Sequence, residues 1–157
     1  MTAFITTGTS VRPDWIDYNG HVMDGYYLVA FSDATEAILA ALGFGAPYLE
    51  RTGRTIYTAE AHVTFRREVS IDTPLSFATI VLDHDPKRIH VVHDMLHADS
   101  GERLASAELM FLHVNQSTGK VEPMPTDQAT RVAELAAEHG DLPRPPEIGR
   151  KIGIPRP

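Results

Sequence analysis

The sequence predicts an α+β domain in which a curved antiparallel sheet wraps around one long central helix. One observation is a single extended segment of helical period: from Asp24 to Leu42 the apolar residues Leu28, Phe31, Ala34, Ile38 and Leu42 recur at helical spacing, with Asp33 and Glu36 as the only charges after Asp24. The other is a series of four period-two runs that follow it, separated by turn residues. A helix so poor in charge needs cover, and a sheet with one apolar face needs a partner, so each buries the other.

The elements follow in order. Residues 3 to 13 carry Thr, Val, Ile and Phe in a strand-prone pattern, which Pro13 ends. The stretch DWIDYNGHVMDGYYL, Asp14 to Leu28, then sets an Asn19-Gly20 turn between Asp17 and His21 and runs directly into the helix. Asp24 is the expected N-cap and Gly43 the expected terminating glycine. A Gly- and Pro-containing connection leads to strands expected over residues 55–71, 75–82, 88–98 and 103–115. Asp72-Thr-Pro74, His84-Asp-Pro86-Lys and Asp99-Ser-Gly101 supply the breaks. A short Lys120-Val-Glu122 piece extends the sheet. Residues 126–139 form an amphipathic helix with Ala129, Val132, Ala133 and Ala136 on one face. The proline-rich end LPRPPEIGRKIGIPRP cannot form a continuous helix and reads as an extended arm or lid. Residues 1–125 thus form the main domain, and residues 126–157 are a C-terminal helix and Pro-rich basic tail packed on it.

Bulk properties narrow the function. A chain of 157 residues with 43% hydrophobic and 22% charged content fits one ordinary globular domain. The net charge of −7 argues against nucleic-acid partners, although residues 141–157 are locally basic through Arg144, Arg150, Lys151 and Arg156. No apolar run approaches the roughly 20 residues needed to span a bilayer, and the N-terminus lacks signal-peptide features, so no membrane role and a cytoplasmic location are expected. The absence of cysteine excludes thiolate catalysis and cysteine-ligated zinc. His90, His93 and His97 would share a face only on a helix, and Ile89, Val91 and Val92 favour a strand, so no metal is expected. Neither a G-x-S-x-G elbow nor a glycine-rich phosphate loop is present.

On the residues alone, Asp17 admits two roles. It can close an Asx-turn with Asn19-Gly20, or it can present a carboxylate to a reacting group held at the helix start, whose free N–H groups and positive dipole end suit a developing oxyanion. Asp17-Tyr-Asn-Gly20-His21-Val, followed by Tyr27-Leu28, resembles the D-x-x-G-H-V-N-N-x-x-Y-L signature of hotdog-fold acyl-CoA thioesterases of the hydroxybenzoyl-CoA thioesterase type. The resemblance covers about residues 3 to 123. It implies a hotdog fold, hydrolysis of an acyl-CoA without a cofactor, and Asp17 as the catalytic carboxylate. Asn19, Gly20, His21, Asp24 and Gly25, around the turn and helix start, are the further residues expected to build the catalytic site. Side-by-side pairing of subunits would extend the sheet, so a homodimer or homotetramer is expected.

Departures from the signature bear on substrate. Met23-Asp24 replaces the usual Asn-Asn, and Trp15 stands two before Asp17 where relatives often carry an acid. Trp15, Tyr18, Tyr26 and Tyr27 surround Asp24 in sequence, a composition suited to a quaternary ammonium. The wider text, with IYTAEAHVTFRREV and HDPKRIHVVHDML, resembles the thioesterases of bacterial carnitine breakdown, which hydrolyse betainyl-CoA to glycine betaine and CoA. Another short-chain or aromatic acyl-CoA, a hydratase-type reaction and a non-catalytic acyl-CoA-binding role are the alternatives. Thr58, Glu60 and His62, expected on one side of a strand, are candidates to complete the acyl pocket from the other subunit, and Met23 is a further substrate-binding candidate. Arg66, Arg67, Lys87 and Arg88 are candidates for the CoA phosphates. Asp33 and Glu36, mid-helix acids, are the rival catalytic carboxylates, since a second type of hotdog thioesterase carries its carboxylate on the central helix, but are expected instead to hydrogen-bond at a subunit interface.

Overall fold

The computed structural model describes residues 2–156. Its sheet runs in the order β1-β3-β4-β5-β2, entirely antiparallel, with β6 added to β5. The strands are β1 (Phe4–Ser10), β2 (Arg54–Phe65), β3 (Pro74–His84), β4 (Arg88–His97), β5 (Arg103–Asn115) and β6 (Lys120–Val121). The helices are α1 (Asp24–Ala41), α2 (Ala46–Thr52) and α3 (Thr126–Glu138). No single helix among the described residues is long and apolar enough to cross a membrane.

The core lies between α1 and one face of the sheet. Tyr27, Ala30, Phe31, Ala34 and Ile38 meet Phe77, Val91, Met95, Ala107 and Phe111, all buried. Each large side chain so buried contributes about 1.5–3 kcal/mol. Leu28, expected to face the core, is instead 42% exposed, because the buried stripe is rotated toward Tyr27. A helix apolar on nearly every side does not reveal its inner face by periodicity alone.

α1 ends in a Schellman motif. The N–H of Phe44 donates to Leu39 O at 2.8 Å and that of Gly43 to Ala40 O at 3.0 Å, while Phe44 and Leu39 are both buried. Gly43 has φ 86°, a left-handed conformation that favours glycine here. The connection after it contains α2, a helix the sequence reading missed. Pro47 near its start and Gly53, at φ 66°, just past its end bound it.

Strand β2 departs from expectation twice. It stops at Phe65 rather than Ile71, because the N–H groups of Arg66 and Arg67 share one acceptor, Leu104 O, at 2.9 and 3.0 Å, and the chain then leaves the ladder. It also carries a bulge between Thr58 and Glu60. Thr58 opposes Phe111, which faces the core, whereas Glu60 opposes Met110, one residue along and on the other face.

The C-terminal region first adds to the core beside α1, where Val132 of α3 is buried, and then crosses to the opposite face of the sheet. α3 packs against β3, and His139 Nδ1 accepts the Val81 N–H at 3.0 Å. Leu142 and Ile148 then lie on Ile80, Leu82 and Val92. Glu147 pairs with Arg66 and lies 3.8 Å from Arg103, and the Gly149 N–H donates to Glu108 at 2.9 Å. The proline-rich segment is therefore a strap across the sheet as far as Gly149, with exposed residues 150–156 beyond.

Candidate active site

The stretch that precedes α1 folds as a tight hairpin. Ile16 bridges Val22, the Asp17 N–H donates to His21 O at 2.9 Å, and the Gly20 N–H donates to Asp17 O at 3.0 Å. Gly20, at φ 80°, supplies the left-handed residue this turn needs. The Asp17 carboxylate accepts the Asn19 N–H at 2.8 Å and a hydrogen bond from Asn19 Nδ2 at 3.4 Å, which closes an Asx-turn. The hairpin is anchored at its base. Trp15 O accepts the Met23 N–H at 2.9 Å, and Val69 O accepts the Val22 N–H at 2.8 Å.

That anchoring moves the helix start by one residue. Met23 is held extended at φ −64°, ψ 144° and occupies the cap position, so Asp24 is the first helical residue and not the N-cap. Its carboxylate accepts the Gly25 N–H at 2.8 Å, engaging one of the groups expected to face a substrate oxygen. The Tyr26 N–H is taken by Met23 O at 2.9 Å.

Beside the helix start lies a cleft of about 400 Å³ lined by Val22, Asp24, Tyr27, Phe65, Arg66, Arg67 and Glu68. Its charges divide unequally. Arg66 is paired with Glu147, and Arg67 with Glu102 at 2.9 Å. Among the described residues, Asp24 has no basic partner, and Glu68 has only His21 Nε2 at 3.9 Å, an ion pair only when that imidazole is protonated. The uncompensated charge of the cleft is negative.

Several predicted residues fall elsewhere. Three of the four aromatic residues do not line the cleft with Asp24: Trp15 and Tyr26 stack on each other at 5.9 Å, and Tyr18 is 97% exposed at the hairpin tip. Tyr27 does reach the cleft. Its hydroxyl donates to Arg67 O at 3.2 Å, its ring meets Phe65 edge to face at 4.9 Å, and burial raises its pKa. Met23 is exposed.

Thr58, Glu60 and His62 do not share a side, because the bulge separates them. Thr58 lines a groove of about 300 Å³ between α1 and β2, with Glu36 on its helical wall. Glu60 and His62 line a hollow of about 420 Å³ on the far face, with His90, Glu108 and Arg150. The four proposed phosphate ligands are likewise apart. Arg66 and Arg67 bind Leu104 O at the start of β5, whereas Lys87 O accepts the His113 N–H near its end, and Arg88 pairs with Asp85. Asp33 accepts a hydrogen bond from Thr9 Oγ1 at 2.5 Å, which ties α1 to β1.

Of the three histidines weighed for a metal, His90 contacts Glu108 at 2.8 Å on the outer face. His93 is fully buried on the inner face between Thr79 and Thr35, at 2.8 and 3.1 Å. Sequence reasoning did not single out Phe65 or Glu68. The FRRE sequence gave a faint signal, because paired arginines after a half-buried strand break its alternation.

A curved sheet around one helix, with a D-x-x-G-H-V hairpin at the helix start, defines a hotdog-fold protein of the thioesterase class. The chain belongs to the thioesterase-like superfamily, whose family model matches residues 11–132, and thioester hydrolysis is the activity for which that family is named. It is 38% identical to a betainyl-CoA thioesterase of Pseudomonas aeruginosa over 99% of this chain and 98% of that one. It is also 35% identical over 94% of its length to an L-carnitine dehydrogenase/betainyl-CoA thioesterase of Rhizobium meliloti, of which it spans 30%. Among solved structures, a hypothetical protein from Staphylococcus aureus in complex with CoA superposes with a TM-score of 0.89 at 26% identity, covering 99% of this chain and 98% of that one.

Proposed function

We propose that this chain hydrolyses betainyl-CoA to glycine betaine and CoA. The observation that carries the reading is the end-to-end similarity to the Pseudomonas enzyme, 38% identical across nearly the full length of both chains. The cleft at the start of α1 supports it physically, since its unpaired carboxylates favour a cationic acyl group and disfavour a plain fatty one.

Asp17 is the reacting carboxylate, attacking the thioester carbonyl or activating the water that does. Carbonyl addition places negative charge on oxygen, and the N–H groups at the start of α1 are the donors that meet it. The sulfur then leaves and is protonated, and the acyl carbon retains the hydroxyl oxygen delivered by water. In betaine the quaternary nitrogen is one methylene from the carbonyl. A cation drawn to Asp24 therefore brings the carbonyl oxygen close to Gly25, and it gives the Asp24 carboxylate a reason to release the Gly25 N–H. No cofactor is required by this chemistry. Arg66, Arg67 and the basic residues beyond Gly149 are the CoA phosphate ligands in this reading, in a cytoplasmic homodimer or homotetramer.

Thiol release measured across betainyl-, short aliphatic, long aliphatic and aromatic CoA esters tests the reading. The highest kcat/KM is expected for betainyl-CoA. A higher value for a neutral ester would overturn the substrate, and binding without thiol release would overturn the activity.

A further inference from the structure

We infer that Phe65 and Glu68, with Asp24, form the seat for the substrate's quaternary ammonium. This subsite presupposes the cationic substrate proposed above. Both residues owe their position to the way β2 ends. Phe65 is its last residue, and the shared acceptor Leu104 O turns the chain out of the sheet at Arg66 and Arg67. The turned-out segment is pinned on either side of Glu68. Arg67 O accepts the Tyr27 hydroxyl at 3.2 Å, and Val69, 1% exposed, accepts the Val22 N–H at 2.8 Å. Glu68 thus lines the cleft together with Asp24 of the helix start.

Phe65 is 49% exposed although its ring meets buried Tyr27 edge to face. A large aromatic left half in water at the rim of a cleft has unused ring surface to offer a ligand. A quaternary ammonium has no N–H to donate, so it is recognised by aromatic faces and by nearby negative charge without directional hydrogen bonds. The cleft presents both: ring surface from Phe65, and carboxylates from Asp24 and Glu68 that no arginine neutralises. Trp15, Tyr18 and Tyr26 are not among the residues that line this cleft, and Trp15 is stacked on Tyr26.

The test compares betainyl-CoA with its neutral isostere, tert-butylacetyl-CoA, in which a quaternary carbon replaces the nitrogen. The ratio of the two kcat/KM values is read in wild type, Glu68→Gln and Phe65→Leu. Both rates come from one sample, so any loss of folded protein cancels. Glu134→Gln, an exposed acid of α3, makes the same change in net charge away from the cleft. The ratio is expected to fall about threefold to tenfold in Glu68→Gln and Phe65→Leu, and to stay within twofold of wild type in Glu134→Gln (about 0.4 kcal/mol). A wild-type ratio near one would overturn the cationic substrate and the subsite with it. A wild-type preference that survives in both cleft variants would overturn the subsite alone.

Discussion

Asp17 holds its position through its own turn, and this makes a clean variant available. Asparagine at that position keeps an Oδ1 to accept the Asn19 N–H, so Asp17→Asn removes the charge while preserving the Asx-turn. Thiol release should fall about 10²- to 10⁴-fold, the usual contribution of a positioned acid–base group, with the thermal midpoint little changed. Near-normal turnover would take Asp17 out of the chemistry. Asp24→Asn should behave differently, lowering kcat/KM more for betainyl-CoA than for tert-butylacetyl-CoA; an equal loss on both esters would count against an electrostatic role. Asp17, Gly20 and His21 were legible in the sequence because their geometry is local, set within a few residues by an Asn-Gly turn. Glu68 and Phe65 were not, because what brings them to the helix start is a shared acceptor on β5, far along the chain.

At the scale of elements, α1 and the strands were readable because period and turn chemistry agree with each other. β5 falls at residues 103–115 as expected, and α1 ends at its Gly43. The bulge in β2 was not readable, since no Gly or Pro marks it in TAEAH, and its cost was to place Glu60 and His62 on the wrong face. Burial also leaves a mark that titration can detect. His93 of β4 is enclosed by Thr79, Thr35 and Phe31, and desolvation pushes its pKa down to about 3. The folded state therefore holds it neutral while the unfolded chain protonates it near its ordinary value. Its contribution is fully present above about pH 6.5 and is lost as pH falls, by about 1.4 kcal/mol per unit, until the folded form protonates near 3. Denaturant unfolding between pH 7 and 4 should show a shallower pH slope for His93→Gln than for wild type; identical slopes would mean the imidazole is charged in the fold.

At the scale of the whole molecule, one side is left uncovered among the described residues. β2 is a sheet edge, and Leu28 of α1, 42% exposed, lines a groove of about 300 Å³ beside it, with Val29, 48% exposed, next along the helix. Tyr57, on β2, is 46% exposed. An open edge beside exposed apolar side chains favours association, and a two-fold axis across β2 would pair the edges and cover both helices at once. It would also place each α1 start beside the other copy's sheet, so loss of the dimer should cost activity as well as stability. Light scattering behind size exclusion should give a mass close to double, or a larger even multiple of, the 17.3 kDa chain. Val29→Arg, which puts a charge on the exposed side of α1 without lining the cleft, should shift the protein toward monomer and lower thiol release together. A wild-type monomer at micromolar concentration with full activity would show that the uncovered side of α1 serves some other purpose.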